Sequence, residues 1–229
     1  MLAEAVRMCT LLVWKHRRPD YPIVVAANRD EFEGRPSTGP QRLHEQPLVV
    51  GGRDEVAGGT WLAVSEHCLI VALTNRRGAG AHDSSKRSRG QLVLDLARMA
   101  RLADVGEAAR VLDARAYNPF VLVALDRSNG IAVQGGDDGL HIAPLADGVH
   151  AVTNWEIDAR EEPKTRRALE LAEAFDIASG DADELAGRLH ALLSDHAPGQ
   201  RSNDGGLCVH RSDDATAPAH RRSSCWQAR

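Results

Sequence analysis

The turns between successive apolar segments constrain the fold of this chain most, because they are too short for the crossover connections that parallel strands need. A β-favouring segment at 9–16 is followed by a polar break and a second such segment at 23–27, which together predict a hairpin. Further strands are predicted at 60–65, 69–74, 120–125, 131–134, 140–145 and 149–153. We therefore expect antiparallel sheets rather than one doubly wound parallel sheet.

Two predicted helix pairs accompany these strands. Ser88 can cap a helix whose apolar side chains recur at helical spacing from Leu92 to Ala103, and a second helix follows it. Pro163 suits the first turn of a third helix, and Asp181 suits the start of a fourth. Because each sheet needs its apolar face covered, this order predicts an α+β fold, a four-layer αββα sandwich with two sheets between helical layers.

Composition excludes several classes of partner. The formal net charge is −4, from 28 Lys and Arg against 32 Asp and Glu, so we expect no nucleic-acid partner. No apolar stretch approaches the ~20 residues that cross a bilayer, and residues 1–7 lack the apolar region of a secretory signal. We therefore expect no membrane insertion. The four cysteines are widely spaced without a C-x-x-C motif, which predicts a reducing, cytoplasmic setting.

The sequence contains no cofactor motif. Its ten histidines show neither H-E-x-x-H nor H-x-H spacing, so we expect no metal site. The pairs Gly51-Gly52 and Gly58-Gly59 lack the pattern of a nucleotide-binding loop, and we interpret them as turn or bulge glycines that border a pocket. These patterns favour a protein that works without a cofactor.

Cys9 is the first candidate for chemistry, because it directly follows Met8 and opens the first strand. If translation begins at Met8, or if residues 1–8 are removed, Cys9 carries a free α-amine beside its thiol. An α-amine titrates near ~7.7–8.0, so a useful fraction can take the thiol proton at neutral pH. The alternative interpretation is a small, buried, hydrophobic cysteine at a strand start.

Four polar residues, from Asn28 to Glu31, follow the second strand. In a hairpin the end of the second strand lies beside the start of the first, so we expect this cluster to neighbour Cys9. The guanidinium of Arg29 would lower the pKa of the thiol, and the carboxylate of Asp30 would orient the amine or hold the arginine. The alternative interpretation is a turn with a surface ion pair.

These residues belong to a series of ordered motifs that resembles the NRDE family, the transport-and-Golgi-organisation homologues. The match is dense over residues 8–90 and continues through 117–120 and 153–154. The motifs are Met8-Cys9-Thr10-Leu11, Ala27-Asn28-Arg29-Asp30-Glu31-Phe32, Arg35-Pro36, Gly51-Gly52-Arg53-Asp54, Gly58-Gly59-Thr60-Trp61-Leu62, Ala72-Leu73-Thr74-Asn75 and Ser88-Arg89-Gly90.

The resemblance implies the N-terminal-nucleophile hydrolase fold, similar in layout to the choloylglycine hydrolase and penicillin V acylase group. It implies a cofactor-independent cysteine hydrolase of linear amide C–N bonds, in which Arg29 and Asp30 position the Cys9 thiolate and its amine. Asn75 and Asn154 would bind the oxyanion of the small-molecule substrate. The candidates for substrate contact are Asn28, Glu31, Arg53, Trp61 and Arg89.

The family also supports two other hypotheses. Carrier or chaperone roles have been proposed for its members, so the chain could bind a hydrophobic anionic ligand such as haem or an acyl lipid without turnover. It could also be an interaction protein with a vestigial site. Fold alone does not separate these functions, because one scaffold hosts many of them.

The ends of the chain raise separate expectations. We expect residues 8–229 to form a single domain and residues 1–7 to be an extension, either a start-site artefact or a removed leader. A cysteine whose nitrogen stays in a peptide bond has no amine base, so unprocessed protein should be inactive. Residues 219–229 stop where more strands are expected, which predicts a fold incomplete at the C-terminus and a site lacking a late arginine.

Overall fold

The computed structural model describes residues 9–29, 35–77, 82–196 and 206–208. Its strands are β1 (Thr10–Lys15), β2 (Ile23–Asn28), β3 (Ser37–Glu45), β4 (Leu48–Asp54), β5 (Leu62–Ser65), β6 (Ile70–Asn75), β7 (Phe120–Leu125), β8 (Gly130–Gly136), β9 (Gly139–Pro144) and β10 (Gly148–Val152). Its α-helices are α1 (Arg89–Ala97), α2 (Leu102–Arg110), α3 (Pro163–Ala174) and α4 (Ala182–Leu193).

The chain divides into two compact units, each with one sheet and one helix pair. The seven-strand unit comprises Arg35–Ala146 and Asn154–Glu156 of the described residues. The three-strand unit comprises the described parts of Arg7–Gly34, Asp147–Thr153 and Ile157–Arg229. All named strand pairs in both sheets are antiparallel, which confirms the α+β class and the prediction drawn from the short turns.

The sheet of the seven-strand unit runs in chain order from β3 to β9, and α1 and α2 pack against it. Its core contains Leu92 and Leu96 from α1 together with Phe120 and Leu122 from β7. The first helix was predicted to continue to Ala103, but α1 ends at Ala97. The backbone is extended at Arg101, which is the N-cap residue of α2. Apolar spacing continues across this break without a Gly or Pro, so the pattern alone gave no stop signal.

β3 and β4 were not predicted as strands, and their sequences explain the miss. β3 is largely exposed at the edge of the sheet. Its Pro40 lies in the register shift between Thr38 and Gln41, where the strand needs no backbone N–H to pair with β4. In β4, a Cβ atom on Gly51 would lie 2.3 Å from the carbonyl oxygen of Leu62. Glycine is therefore needed for close strand packing, although it lowers the apparent strand propensity.

In the three-strand unit, β1 lies between β10 and β2, and all six of its residues are buried. Leu12 and Trp14 pack with apolar side chains of α3 and α4, and the Trp14 indole N–H donates to the carbonyl of Ala172 at 3.0 Å. The helix starts were predicted well. Pro163 occupies the first turn of α3, and Asp181 caps α4 in a capping box with Glu184.

Substitution of Gly51 by Ala should lower the free energy of unfolding by about 1–3 kcal/mol, because the added methyl group would clash with the backbone of β5. Gly106→Ala is the matched control within α2, since its Cβ atom would meet nothing nearer than 3.9 Å. That variant should gain about 0.5–1 kcal/mol. Denaturant unfolding of both variants checks the contrast, and equal stability of Gly51→Ala and wild type would contradict it.

Candidate functional site

The open end of the β1–β2 hairpin carries the proposed nucleophile. The outermost paired residues are Thr10 and Asn28, and Cys9 directly precedes Thr10 while Arg29 directly follows Asn28. Cys9 is half-buried, and Arg29 is only 6% exposed. Both residues are thus found at the same end of the hairpin, and their side-chain proximity and catalytic roles stay predictions. Asp30 and Glu31 lie outside the described residues.

Asn28 anchors this hairpin end to two other segments. Its amide Nδ2 donates to the carbonyl of Leu193 at 2.7 Å and to that of Leu207 at 2.9 Å, and the residue is 1% exposed. Because side chains alternate along a strand, Thr10 and Asn28 belong to the helix-facing side of the sheet, and alternation assigns Cys9 to the other side. This geometry favours a positioning role for Asn28, and its predicted contact with substrate remains untested.

Asn75 and Asn154, the two predicted oxyanion residues, meet in the seven-strand unit. Asn75 ends β6, and its carbonyl oxygen accepts a hydrogen bond from the Asn154 Nδ2 atom at 2.6 Å. The backbone N–H of Arg77 donates to the carbonyl oxygen of Asn154 at 2.7 Å, and Asn154 is 2% exposed. The side chain of Asn154 thus bonds to the end of β6, and its backbone bonds to Arg77 just beyond that end.

Charged residues that were not predicted surround this asparagine pair. Arg76 donates to both carboxylate oxygens of Asp138, at 3.1 and 2.7 Å, and lies 3.1 Å from a carboxylate oxygen of Glu156. The hydrogen bond with Asp138 is the main reason that the pKa of Arg76 is raised. The guanidinium of Arg77 lies 5.0 Å from the ring centroid of Trp155. The sequence signal that could have identified these two arginines is their position, since Arg76 and Arg77 directly follow Asn75.

The side chains of the remaining candidates for substrate contact lie close to other residues of the seven-strand unit. Arg53 is exposed, and its Nε atom is 3.9 Å from a carboxylate oxygen of Glu55. The Arg89 guanidinium donates to the carbonyl of Pro119 at 2.8 Å. Trp61 is half-buried, and its ring lies so close to β4 that a Cβ atom on Gly52 would be 2.5 Å from it. Their roles in substrate contact stay predictions.

A histidine–aspartate pair was also not predicted. The His150 Nδ1 atom lies 2.7 Å from the Asp158 Oδ2 atom, and Asp158 Oδ1 accepts a hydrogen bond from the Ala151 N–H at 2.8 Å. This pair ties β10 to the loop that follows it. Across the described ranges, no group of three or more His, Cys, Asp and Glu side chains is arranged to hold a metal ion. In the same ranges, no helix is long and apolar enough to cross a membrane.

Comparison with known proteins connects this geometry to a family. The family model described as Transport and Golgi organisation 2 matches residues 8–223. A Transport and Golgi organization protein 2 homolog of Bos taurus is 30% identical over 146 residues, covering 58% of this chain and 51% of that protein. The Homo sapiens homolog is 34% identical over 116 residues, covering 47% of this chain and 40% of that protein. The chain thus spans about half the length of the curated relatives it matches.

A solved structure establishes the fold type. The Caenorhabditis elegans N-acylethanolamine-hydrolyzing acid amidase ortholog superposes with a TM-score of 0.59 at 14% sequence identity, covering 79% of this chain and 85% of that one. At this identity the likeness concerns the fold alone. It confirms the predicted fold of the N-terminal-nucleophile hydrolase type.

Removal of the Asn28 amide should destabilise the protein. Asn28→Ala leaves the carbonyls of Leu193 and Leu207 without this donor and should cost about 1–3 kcal/mol of unfolding free energy. Asn28→Asp should cost more, because a carboxylate would then face two carbonyl oxygens. Denaturant unfolding at neutral pH measures both effects.

The cross-strand residue Thr10 provides the control, because its buried Oγ1 atom has no hydrogen-bond partner in the part of the chain that the structure describes. Thr10→Val should therefore leave stability within about 1 kcal/mol of wild type or raise it. A loss for Thr10→Val as large as that for Asn28→Ala would mean that packing, and not the amide, holds this end of the hairpin.

Proposed function

The chain belongs to the Transport and Golgi organisation 2 family, and on that premise we propose that it is a cofactor-independent hydrolase that uses Cys9 to cleave a linear, non-peptide amide. One observation carries the proposal: Cys9 lies beside the strand end that bears the buried Arg29. A guanidinium near a thiol lowers the pKa of the thiol and so favours the nucleophilic thiolate.

Cys9 supplies both nucleophile and base once it is the first residue of the chain. Its α-amine takes the thiol proton, and the thiolate attacks the amide carbonyl. The C–N bond of the tetrahedral intermediate then breaks, and the protonated α-amine gives its proton to the leaving nitrogen. Water hydrolyses the resulting thioester, which releases the carboxylic acid and regenerates the thiol.

The remaining roles follow from the chemistry of each side chain. We assign the side-chain amides of Asn75 and Asn154 to the oxyanion, because amide N–H groups can donate to the negative charge that develops there. Arg29 stabilises the thiolate, and Asp30 orients the α-amine. We also propose a cytoplasmic location, because four widely spaced cysteines without a C-x-x-C motif are typical of a protein in a reducing compartment.

N-acyl amides with small neutral leaving amines are the substrate class to test first. The solved structure with the similar fold carries N-acylethanolamine hydrolysis in its name, so an N-acylethanolamine belongs in the panel. The panel should also include an N-acyl amino acid and a simple fatty amide. These three differ in the charge and size of the leaving group while keeping the acyl chain constant.

The mechanism requires a free amino terminus at Cys9. We expect the chain expressed from Met8 to lose that methionine, as mass spectrometry would show, and to hydrolyse at least one amide of the panel. Cys9→Ala should lower the rate by at least ~10²-fold, because the nucleophile is lost. The rate should also fall as pH drops below the ~7.7–8.0 range in which an α-amine titrates.

Two controls make this experiment specific. Cys68→Ser removes an exposed thiol at the β5–β6 turn and should keep wild-type turnover. The chain that retains residues 1–8 should be inactive, because the nitrogen of Cys9 is then an amide. Equal turnover by wild type and Cys9→Ala would exclude the mechanism. Saturable binding of the panel without turnover by either protein would favour the carrier hypothesis instead.

A further inference from the structure

A pocket lies in the seven-strand unit, among α1, α2 and the strands β7 and β8. Its volume is about 190 Å³. Most of its wall is apolar, including Leu92, Leu96, Met99, Leu112, Phe120 and Val133. None of its lining residues has a role in the proposed hydrolysis, so the inference drawn from it is independent of that proposal.

Tyr117 provides one polar group in this apolar wall. The residue is 2% exposed, and no hydrogen bond of its hydroxyl occurs among the described residues. Its ring is held edge-on against Phe120, with centroids 6.1 Å apart, and the Arg87 guanidinium lies 5.1 Å from its centroid. Because Tyr117 lines the pocket, its hydroxyl can form a hydrogen bond with a ligand that enters there.

The protonation of Tyr117 suits such a bond. Burial raises the pKa of its hydroxyl, with smaller effects from Arg87, Asp95 and Asp113, so the group stays protonated at neutral pH. A protonated phenol can both donate and accept a hydrogen bond. The ligand can therefore carry either a donor or an acceptor.

The charges at the pocket argue against an ionic ligand. Arg87 and Asp95 both line it and have opposite signs, so an ion of either sign would meet one charge of its own sign. The carboxylate of Asp95 also accepts a hydrogen bond from the Gln91 side chain at 2.9 Å. A neutral ligand avoids the desolvation of a net charge against this apolar wall.

We propose that this pocket binds a neutral, ring-sized molecule bearing one hydroxyl or ring N–H group, such as a phenol or an indole, with that group hydrogen-bonded to Tyr117. The volume is sufficient, because an apolar cavity of ~150 Å³ already holds benzene. The apolar wall contacts the ring, and the single hydroxyl sets its orientation.

Calorimetric titration of the full chain with phenol, indole, toluene and benzoate tests the proposal. Phenol and indole should bind saturably, toluene should bind without the hydrogen bond, and benzoate should bind least. Tyr117→Phe should weaken phenol by about 3- to 10-fold and leave toluene unchanged, as expected for one lost hydrogen bond. Tyr21→Phe, at an exposed tyrosine of the three-strand unit, should change neither.

A filling variant tests the location. Ala109 is buried in α2 and lines the pocket, so Ala109→Leu should abolish binding of both phenol and toluene. Ala103→Leu, on an exposed position of the same helix, should preserve binding. Should Ala109→Leu fail to fold, methyl NMR of wild type decides instead, since phenol should then shift Leu92, Leu96 and Val133.

Three results would overturn the proposal. The first is the absence of saturable binding of phenol and indole to wild type. The second is phenol affinity that is equal in Tyr117→Phe and wild type. The third is binding that survives in a folded Ala109→Leu variant, or methyl shifts confined to residues away from the pocket.

Discussion

The hydrogen bonds of the Asn28 amide fix the register on which the proposed chemistry depends. A slip of one residue between β1 and β2 would move every side chain of a strand to the opposite face of the sheet. Asn28 can reach the carbonyls of Leu193 and Leu207 only when it lies on the helix-facing side, where it pairs with Thr10. The same register sets Cys9 beside Arg29, so a buried polar anchor on one face determines which residues lie on the other.

This anchor is not optimised for stability alone. Among the described residues, neither the Oδ1 atom of Asn28 nor the Oγ1 atom of Thr10 has a hydrogen-bond partner, although both are buried. An apolar pair at these positions would avoid that cost. Local violations of this kind are expected next to functional sites, where position matters more than stability. The ion pairs of Arg76, next to Asn75, are a second arrangement that contributes little stability. Its partners Asp138 and Glu156 are largely exposed, and solvent screens such pairs.

The parts of this structure that could be predicted from the sequence are those set by local signals. The polar break between two β-favouring segments was enough to predict the β1–β2 hairpin. Pro163 and Asp181 were enough to predict the starts of α3 and α4. β3 was missed because an exposed edge strand has no apolar alternation, and the end of α1 was missed because its apolar spacing continues. The bond from Asn154 to Asn75 joins residues 79 positions apart, which no local pattern encodes, so only the family resemblance suggested a shared role.

A single covalent bond separates the two functional hypotheses for the hairpin end. With Met8 still attached, the nitrogen of Cys9 is an amide without a basic lone pair, and the buried guanidinium of Arg29 is then suited to hold an anionic ligand. Without Met8 the same nitrogen is an amine that can take the thiol proton, and the same guanidinium favours the thiolate. The two hypotheses therefore differ in the covalent state of the amino terminus, and the arrangement of the strands alone does not separate them.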